Sequence, residues 1–174
     1  MNRDLFNQKL EDLSLKLDLP LKQLKQDIVY LNMCFSFASL SKAKRLKVGE
    51  MILTEQGVLI PGYNGTAPNT SNDCEYVDEQ SQKLVSYQHI ICGLQNCVYK
   101  SAREGVSILN GTAYSTDSPC VRCGPIILST GIKRFVYTRQ YRMIDHLKEL
   151  TVHGVHITQI PIEILKEYQV HYCD

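Results

Sequence analysis

The segment Ser118-Pro119-Cys120-Val121-Arg122-Cys123 sets two thiols three residues apart at what reads as the start of a helix. Ser118 suits the cap position and Pro119 the first turn. Free amides and the positive end of the helix dipole there favour thiolate over thiol. A pair at this spacing serves as half of a zinc site, as a redox dithiol, or as two packed thiols. Cys92 lies 28 residues upstream of Cys120, at a second expected helix start. A third thiolate from a second helix, with one position left open for water, is the layout of a catalytic zinc site. Without metal, Cys92 would be a candidate nucleophile for different chemistry.

These thiols need elements to hold them. Residues 1 to about 24 read as a helical appendage, with leucines spaced among charges and Pro20 interrupting the run. We take 1–26 as this arm and 27–174 as the main domain. Residues 27–40 suit a mostly buried helix, followed by the basic run Lys42, Lys44, Arg45 and Lys47. Residues 48–54 and 58–63 read as a hairpin around Glu55-Gln56-Gly57, and 66–73 as a polar loop. Residues 92–104 suit a helix stopped by Gly105. A strand at 112–116, a helix from Ser118 towards Gly131, a strand at 134–137, a helix at 141–151 and a strand at 155–160 complete the pattern. A hairpin followed by alternating helices and strands predicts an α/β three-layer sandwich.

Composition narrows the class. The chain has 174 residues, 44% hydrophobic and 21% charged, enough for one packed domain. Nineteen basic against 18 acidic residues leave a net charge of +1, so no global field attracts nucleic acid or an anionic membrane. Seven cysteines, an odd number, and an N-terminus without an apolar run argue for reduced thiols in the cytoplasm. No stretch reaches the 18 or so apolar residues of a membrane helix. Cys34 and Cys173 carry no chemical signal, and Cys97 reads as core.

Further segments in order sharpen the reading. Lys47-Val48-Gly49, Gly62-Tyr63-Asn64-Gly65-Thr66, Asn72-Asp73-Cys74-Glu75, Asn96, the Ser-Pro-Cys-x-x-Cys segment and Gly131-Ile132-Lys133-Arg134 together resemble the deoxycytidylate (dCMP) deaminase branch of the zinc cytidine deaminase superfamily. The resemblance covers about residues 27–160. It implies an α/β/α sandwich around a mixed sheet, zinc held by Cys92, Cys120 and Cys123, and an oligomer with itself or a related deaminase. It also implies a cytosine deoxynucleotide (dCMP or dCTP) near Asn64, Tyr63, Asn96 and Lys47. Asn64 has a plainer role open to it, that of holding a turn. Viral members of this branch suggest the cytoplasm of a virus's host.

One position departs from the family. Its first ligand motif reads His-Ala-Glu-x-Asn, and anchored on Asn96 this chain has Cys92-Gly93-Leu94-Gln95-Asn96. Cysteine for histidine keeps a zinc ligand. Leucine for glutamate removes the group that takes the proton from the attacking water and delivers it to the ring nitrogen and the departing amine. General acid–base work of this kind is worth roughly 10²–10⁴ in rate. The expectation is therefore a zinc-binding, deaminase-like protein without deamination activity, serving as a nucleotide-binding or partner subunit. The alternative is an active hydrolase of dCMP or a modified cytosine nucleotide, with Glu75, Asp78 or Asp117 as substitute carboxylate. Cys74 and His89 are candidates for a second metal site.

Overall fold

A computed structural model describes residues 2–141 and 145–172 of the chain. Cys173 lies outside the described residues. The first helix stops before Asp18, whose φ is +47°, and Pro20 sits at the N-cap of the next: α1 spans Arg3–Lys16 and α2 Leu21–Ala38. The hairpin follows as β1 (Gly49–Leu53) and β2 (Leu59–Tyr63). A small second hairpin, β3 (Glu75–Val77) and β4 (Leu84–Ser86), follows the polar loop and was not legible in the sequence. The alternating half consists of α3 (Gly93–Glu104), β5 (Thr112–Asp117), α4 (Cys123–Thr130), β6 (Arg134–Arg139), α5 (Asp145–Val152) and β7 (His156–Gln159). Helix α6 (Ile162–Tyr172) ends the described chain.

The main sheet has five strands in the order β2-β1-β5-β6-β7. Strand β1 pairs antiparallel with β2 and β5, while β5–β6 and β6–β7 are parallel. The sheet is mixed, with helices on both faces, as expected. Alternation along β1 feeds two cores: Met51 joins the α1, α2 and α6 side, and Ile52 the α3 and α4 side. On the first side Phe6 and Leu10 of α1 pack with Leu24, Ile28, Leu31, Ile164 and Leu165. The N-terminal arm is thus built into this core, and the boundary drawn after residue 26 falls inside α2.

Two contacts lock α2 onto the sheet. Gly49 lies so close that a Cβ on it would sit 1.8 Å from the Cys34 carbonyl oxygen, so only glycine lets helix and strand meet here. Asp27 of α2 is fully buried and accepts from Tyr114 Oη at 2.7 Å and from Arg134 Nη2 at 2.8 Å. Desolvation and the Asp27 charge push the Tyr114 phenol well above its usual value, so it remains a donor.

One boundary differs from the sequence reading in a way that matters for the site. The helix expected from Ser118 begins at Cys123. Ser118 does not cap it: its Oγ accepts from the Tyr141 amide at 2.8 Å, and its own amide donates to Arg139 O at 2.8 Å. The chain between Ser118 and Cys123 is therefore a turn suspended from the end of β6.

Candidate functional site

The turn after β5 and the start of α3 converge above the C-terminal end of the parallel strands. Cys92 immediately precedes α3, its amide donating to Gln95 Oε1 at 3.0 Å. Cys123 opens α4, its amide donating to Cys120 O at 2.9 Å, which curls the turn so that both thiols face the same point. Cys92 Sγ is 3.6 Å from Cys120 Sγ, and Cys120 Sγ is 3.3 Å from Cys123 Sγ. All three sulfurs lie within 4.8 Å of one another. A tetrahedral zinc with bonds of about 2.3 Å to sulfur needs sulfurs about 3.8 Å apart. The donor set fits the ion in type and in spacing. Among the described residues it is the one cluster of three or more histidine, cysteine or acidic side chains that does so.

The electrostatics point the same way. Cys120 is held far below the usual thiol range because Cys123 and Cys92 donate to it, with the Cys123 and Arg122 amides adding to the effect. Cys123 is pushed up by the same sharing and by burial. Arg122 lies 3.5 Å from Cys92 Sγ and also donates to Ile90 O at 3.3 Å, which ties the turn to the segment before α3.

The three cysteines line a cavity of about 780 Å³. Its wall includes Arg45, Asn64, Glu75, Tyr87, Asp117 and Arg139. It also includes Glu50, which the sequence reading missed. Glu50 sits on β1, only 4% exposed, with Oε1 accepting from Ser115 Oγ at 3.0 Å. Burial pushes its carboxyl up to about 8, against the pull of the Ser115 bond, and charges on Cys120 and Asp117 push the same way. Among the described residues, the buried side-chain atoms without a hydrogen-bond partner are Glu50 Oε2 and Arg139 Nε. Both residues line this cavity. A lone acid within the apolar run Gly49-Glu50-Met51-Ile52-Leu53 was the available signal, because unpaired acids are almost never placed in a core without a task.

That raised carboxyl has a measurable consequence in the metal-free chain. The folded form holds its proton up to about pH 8, whereas the unfolded form loses it near 4.5. The Glu50 contribution is therefore fully present below pH 4.5 and is lost as pH rises to about 8. Glu50→Gln removes the titration. Wild type should lose on the order of 4 kcal/mol relative to that variant across this window, as urea unfolding at pH 4.5 and pH 8 will show. A constant difference between the two would refute the shift.

The other expected site residues divide. Leu94 is fully buried in the α3-side core and offers the site nothing ionisable. Asn64 lines the cavity, but its side chain is occupied: Oδ1 accepts from the Val48 amide at 2.9 Å and from Ser41 Oγ at 2.8 Å, and Nδ2 donates to Leu46 O at 2.9 Å. It shapes the rim by holding the basic loop. Lys47 lines an adjoining hollow of about 640 Å³ with Lys42, Lys44, Arg45 and Arg139. Tyr63 and Asn96 stay outside the cavity wall. Asn96 Nδ2 donates to Tyr63 O at 3.1 Å, which clamps α3 to β2, and the Tyr63 ring lies beneath Lys100.

The substitute acids are also committed. Glu75 accepts from the Lys44 amide at 3.0 Å and from the Arg45 amide at 3.3 Å. Asp78 holds Ser81 in the exposed β3–β4 turn. Asp117 pairs with Arg139 at 2.6 Å and accepts from Thr116 at 2.7 Å. Cys74 packs with Ala43 and Ile90, and His89 stacks on Tyr87 at 5.1 Å between ring centroids, so neither builds a second cluster.

Comparison with known proteins places this geometry. Residues 24–139 match the family described as the cytidine and deoxycytidylate deaminase zinc-binding region. The chain is 28% identical over 145 residues to a deoxycytidylate deaminase of Saccharomyces cerevisiae, matching 80% of this chain and 46% of the yeast protein. It is 29% identical over 137 residues to the deoxycytidylate deaminase of Enterobacteria phage T4, matching 58% of this chain and 71% of the phage protein. The dCMP deaminase of cyanophage S-TIM5, solved with dCMP and dUMP, superposes with a TM-score of 0.67 at 27% identity, covering 76% of this chain and 94% of that one.

Proposed function

The chain belongs to the cytidine and deoxycytidylate deaminase zinc-binding family, and from that premise we propose that it is a zinc-dependent hydrolase removing the 4-amino group of a cytosine deoxynucleotide. The observation that carries this reading is the meeting of three thiols and a buried carboxylate in one cavity. Cys92, Cys120 and Cys123 would hold the ion. A zinc there supplies the polarisation that turns water into a nucleophile at C4 of the ring. The protein's own part is to seat the base against the thiols, exclude bulk water and move protons. The cavity wall continues into the basic loop, and Arg45 suits a 5′-phosphate: it is exposed, and one arm of its guanidinium is anchored to Ser86 at 3.2 Å.

dCMP is the substrate named for the relatives and the one this reading adopts. The test is zinc per chain together with ammonia release from dCMP, with and without dCTP. Stoichiometric zinc with turnover supports the reading. In the same assay Arg45→Ala should raise KM for dCMP about tenfold, equivalent to about 1.4 kcal/mol of phosphate contact, with little change in kcat. Deoxycytidine, which lacks the phosphate, should be indifferent to the change. Equal losses for both compounds would remove Arg45 from the phosphate site.

Leu94 favours a second reading: a zinc protein that binds dCMP or dCTP without turnover and serves as partner, in a homo-oligomer or beside a related active deaminase. It predicts a nucleotide-dependent rise in Tm and no ammonia. Both readings suit the cytoplasm, where thiols stay reduced; phage relatives extend this to a virus's host. No helix among the described residues is long and apolar enough to cross a membrane.

A further inference from the structure

Hydrolytic deamination needs a carboxylate beside the ring, and the residue two past Cys92 is Leu94, buried in the core. The structure offers another from across the cavity. Glu50 projects from β1 towards the start of α3, where Gly93 follows Cys92. A Cβ on residue 93 would stand 2.9 Å from Glu50 Oε2, 3.1 Å from its Cγ and 3.2 Å from its Cβ. The glycine therefore makes the room that the glutamate fills. Ser115, paired with Glu50 across the β1–β5 ladder, holds Oε1 and leaves Oε2 without a partner. The remaining acids of the wall, Glu75 and Asp117, are spent on backbone amides and on Arg139. A buried carboxylate with one oxygen anchored and the other unsatisfied, beside three metal-ligand thiols, is built for a reacting partner.

We propose that Glu50 is the catalytic carboxylate of this chain, carrying from the sheet side the protons that residue 94 cannot carry from the helix side. The inference rests on the deaminase reading above. Its chemistry balances without any redox step. Glu50 takes a proton from water as the oxygen bonds to C4, and passes it to ring N3. It then takes the proton of the new C4 hydroxyl and passes it to the amino nitrogen. The C4–N bond breaks, ammonia leaves, the C4 carbonyl forms and Glu50 returns to carboxylate. Water and the cytosine nucleotide become the uracil nucleotide and ammonia.

The test uses zinc-loaded wild type, Glu50→Gln and Gly93→Ala, each measured for zinc content, dCMP affinity and ammonia release. Glu50→Gln should keep zinc and bind dCMP within about threefold of wild type while losing roughly 10²–10⁴ in kcat. Gly93→Ala leaves the carboxylate in the chain but displaces it, and should lose kcat with zinc retained. A readout independent of turnover is the absorbance of a 2-pyrimidinone deoxynucleotide, which lacks the amino group and loses its ring chromophore when water adds at C4. Wild type should bleach it and Glu50→Gln should not. Turnover by Glu50→Gln within tenfold of wild type overturns the assignment and leaves the deaminase reading standing. Wild type that binds zinc and dCMP but neither releases ammonia nor bleaches the analogue overturns both. If Glu50→Gln is folded by its melting curve yet lacks zinc, Glu50 is a structural support of the thiols and the assignment also falls.

Discussion

Replacing Asp27 with alanine should cost about 3–5 kcal/mol of stability, because it takes away the buried carboxylate to which a guanidinium and a phenol both donate. Asp27 is fully buried at the centre of the contact between α2 and the sheet, and its two oxygens take Tyr114 at 2.7 Å and Arg134 at 2.8 Å. The cost arises less from the lost attraction than from what remains, a largely buried Arg134 charge without its counter-ion. Against a total stability of about 5–15 kcal/mol this is a large fraction, and for a chain of this length it lowers Tm by roughly 10 °C. Asp27→Asn preserves an acceptor for Tyr114 and should lose less. Urea unfolding of the two variants tests the order; a loss below about 1 kcal/mol for the alanine would show that the triad is not what joins helix to sheet.

Cys120→Ala should abolish zinc binding outright. Cys120 is the sulfur that both others approach, at 3.6 Å and 3.3 Å, and the one whose thiol its hydrogen bonds with Cys123 and Cys92 push down. Two protein ligands remain, one fewer than the three a catalytic zinc site keeps. Changes in the outer shell of such sites already cost about 10–100-fold in affinity, and a lost ligand costs more. The expected result is a zinc content near zero after dialysis, and a melting curve that no longer responds to added zinc. Cys97→Ala is the control, since that thiol is fully buried, more so than Cys120, and lies in the α3-side core away from the trio. It should retain the metal. Equal zinc in Cys120→Ala and wild type would place the ion elsewhere.

These variants show where the amino-acid order was informative and where it was not. The hairpin around Gly57, helix α3 with its stop at Gly105, and the alternation of β5, β6 and β7 with helices were legible because turn residues and apolar periodicity are local signals. Helix α6 and the β3–β4 hairpin were not. The hairpin's exposed or half-buried residues carry little of the alternation that marks a packed strand. The thiols were legible as candidates because two of them share one turn. That Cys92 completes the trio depended on how α3 packs against the sheet.

The carboxylate marks the boundary most clearly. Reading along the chain, residue 94 is the position that matters, and its leucine suggests a silent site. In three dimensions the side chain that faces the cavity belongs to β1, 42 residues before Cys92. Residue type and spacing dictate strands, helices and the chance of a metal site, because those depend on neighbours within a turn or two of chain. Which acid stands beside that site depends on sheet order: β1 lies next to β5, so Glu50 pairs with Ser115 and meets Gly93. No local pattern encodes such a meeting, since it comes from packing elements that are remote in sequence.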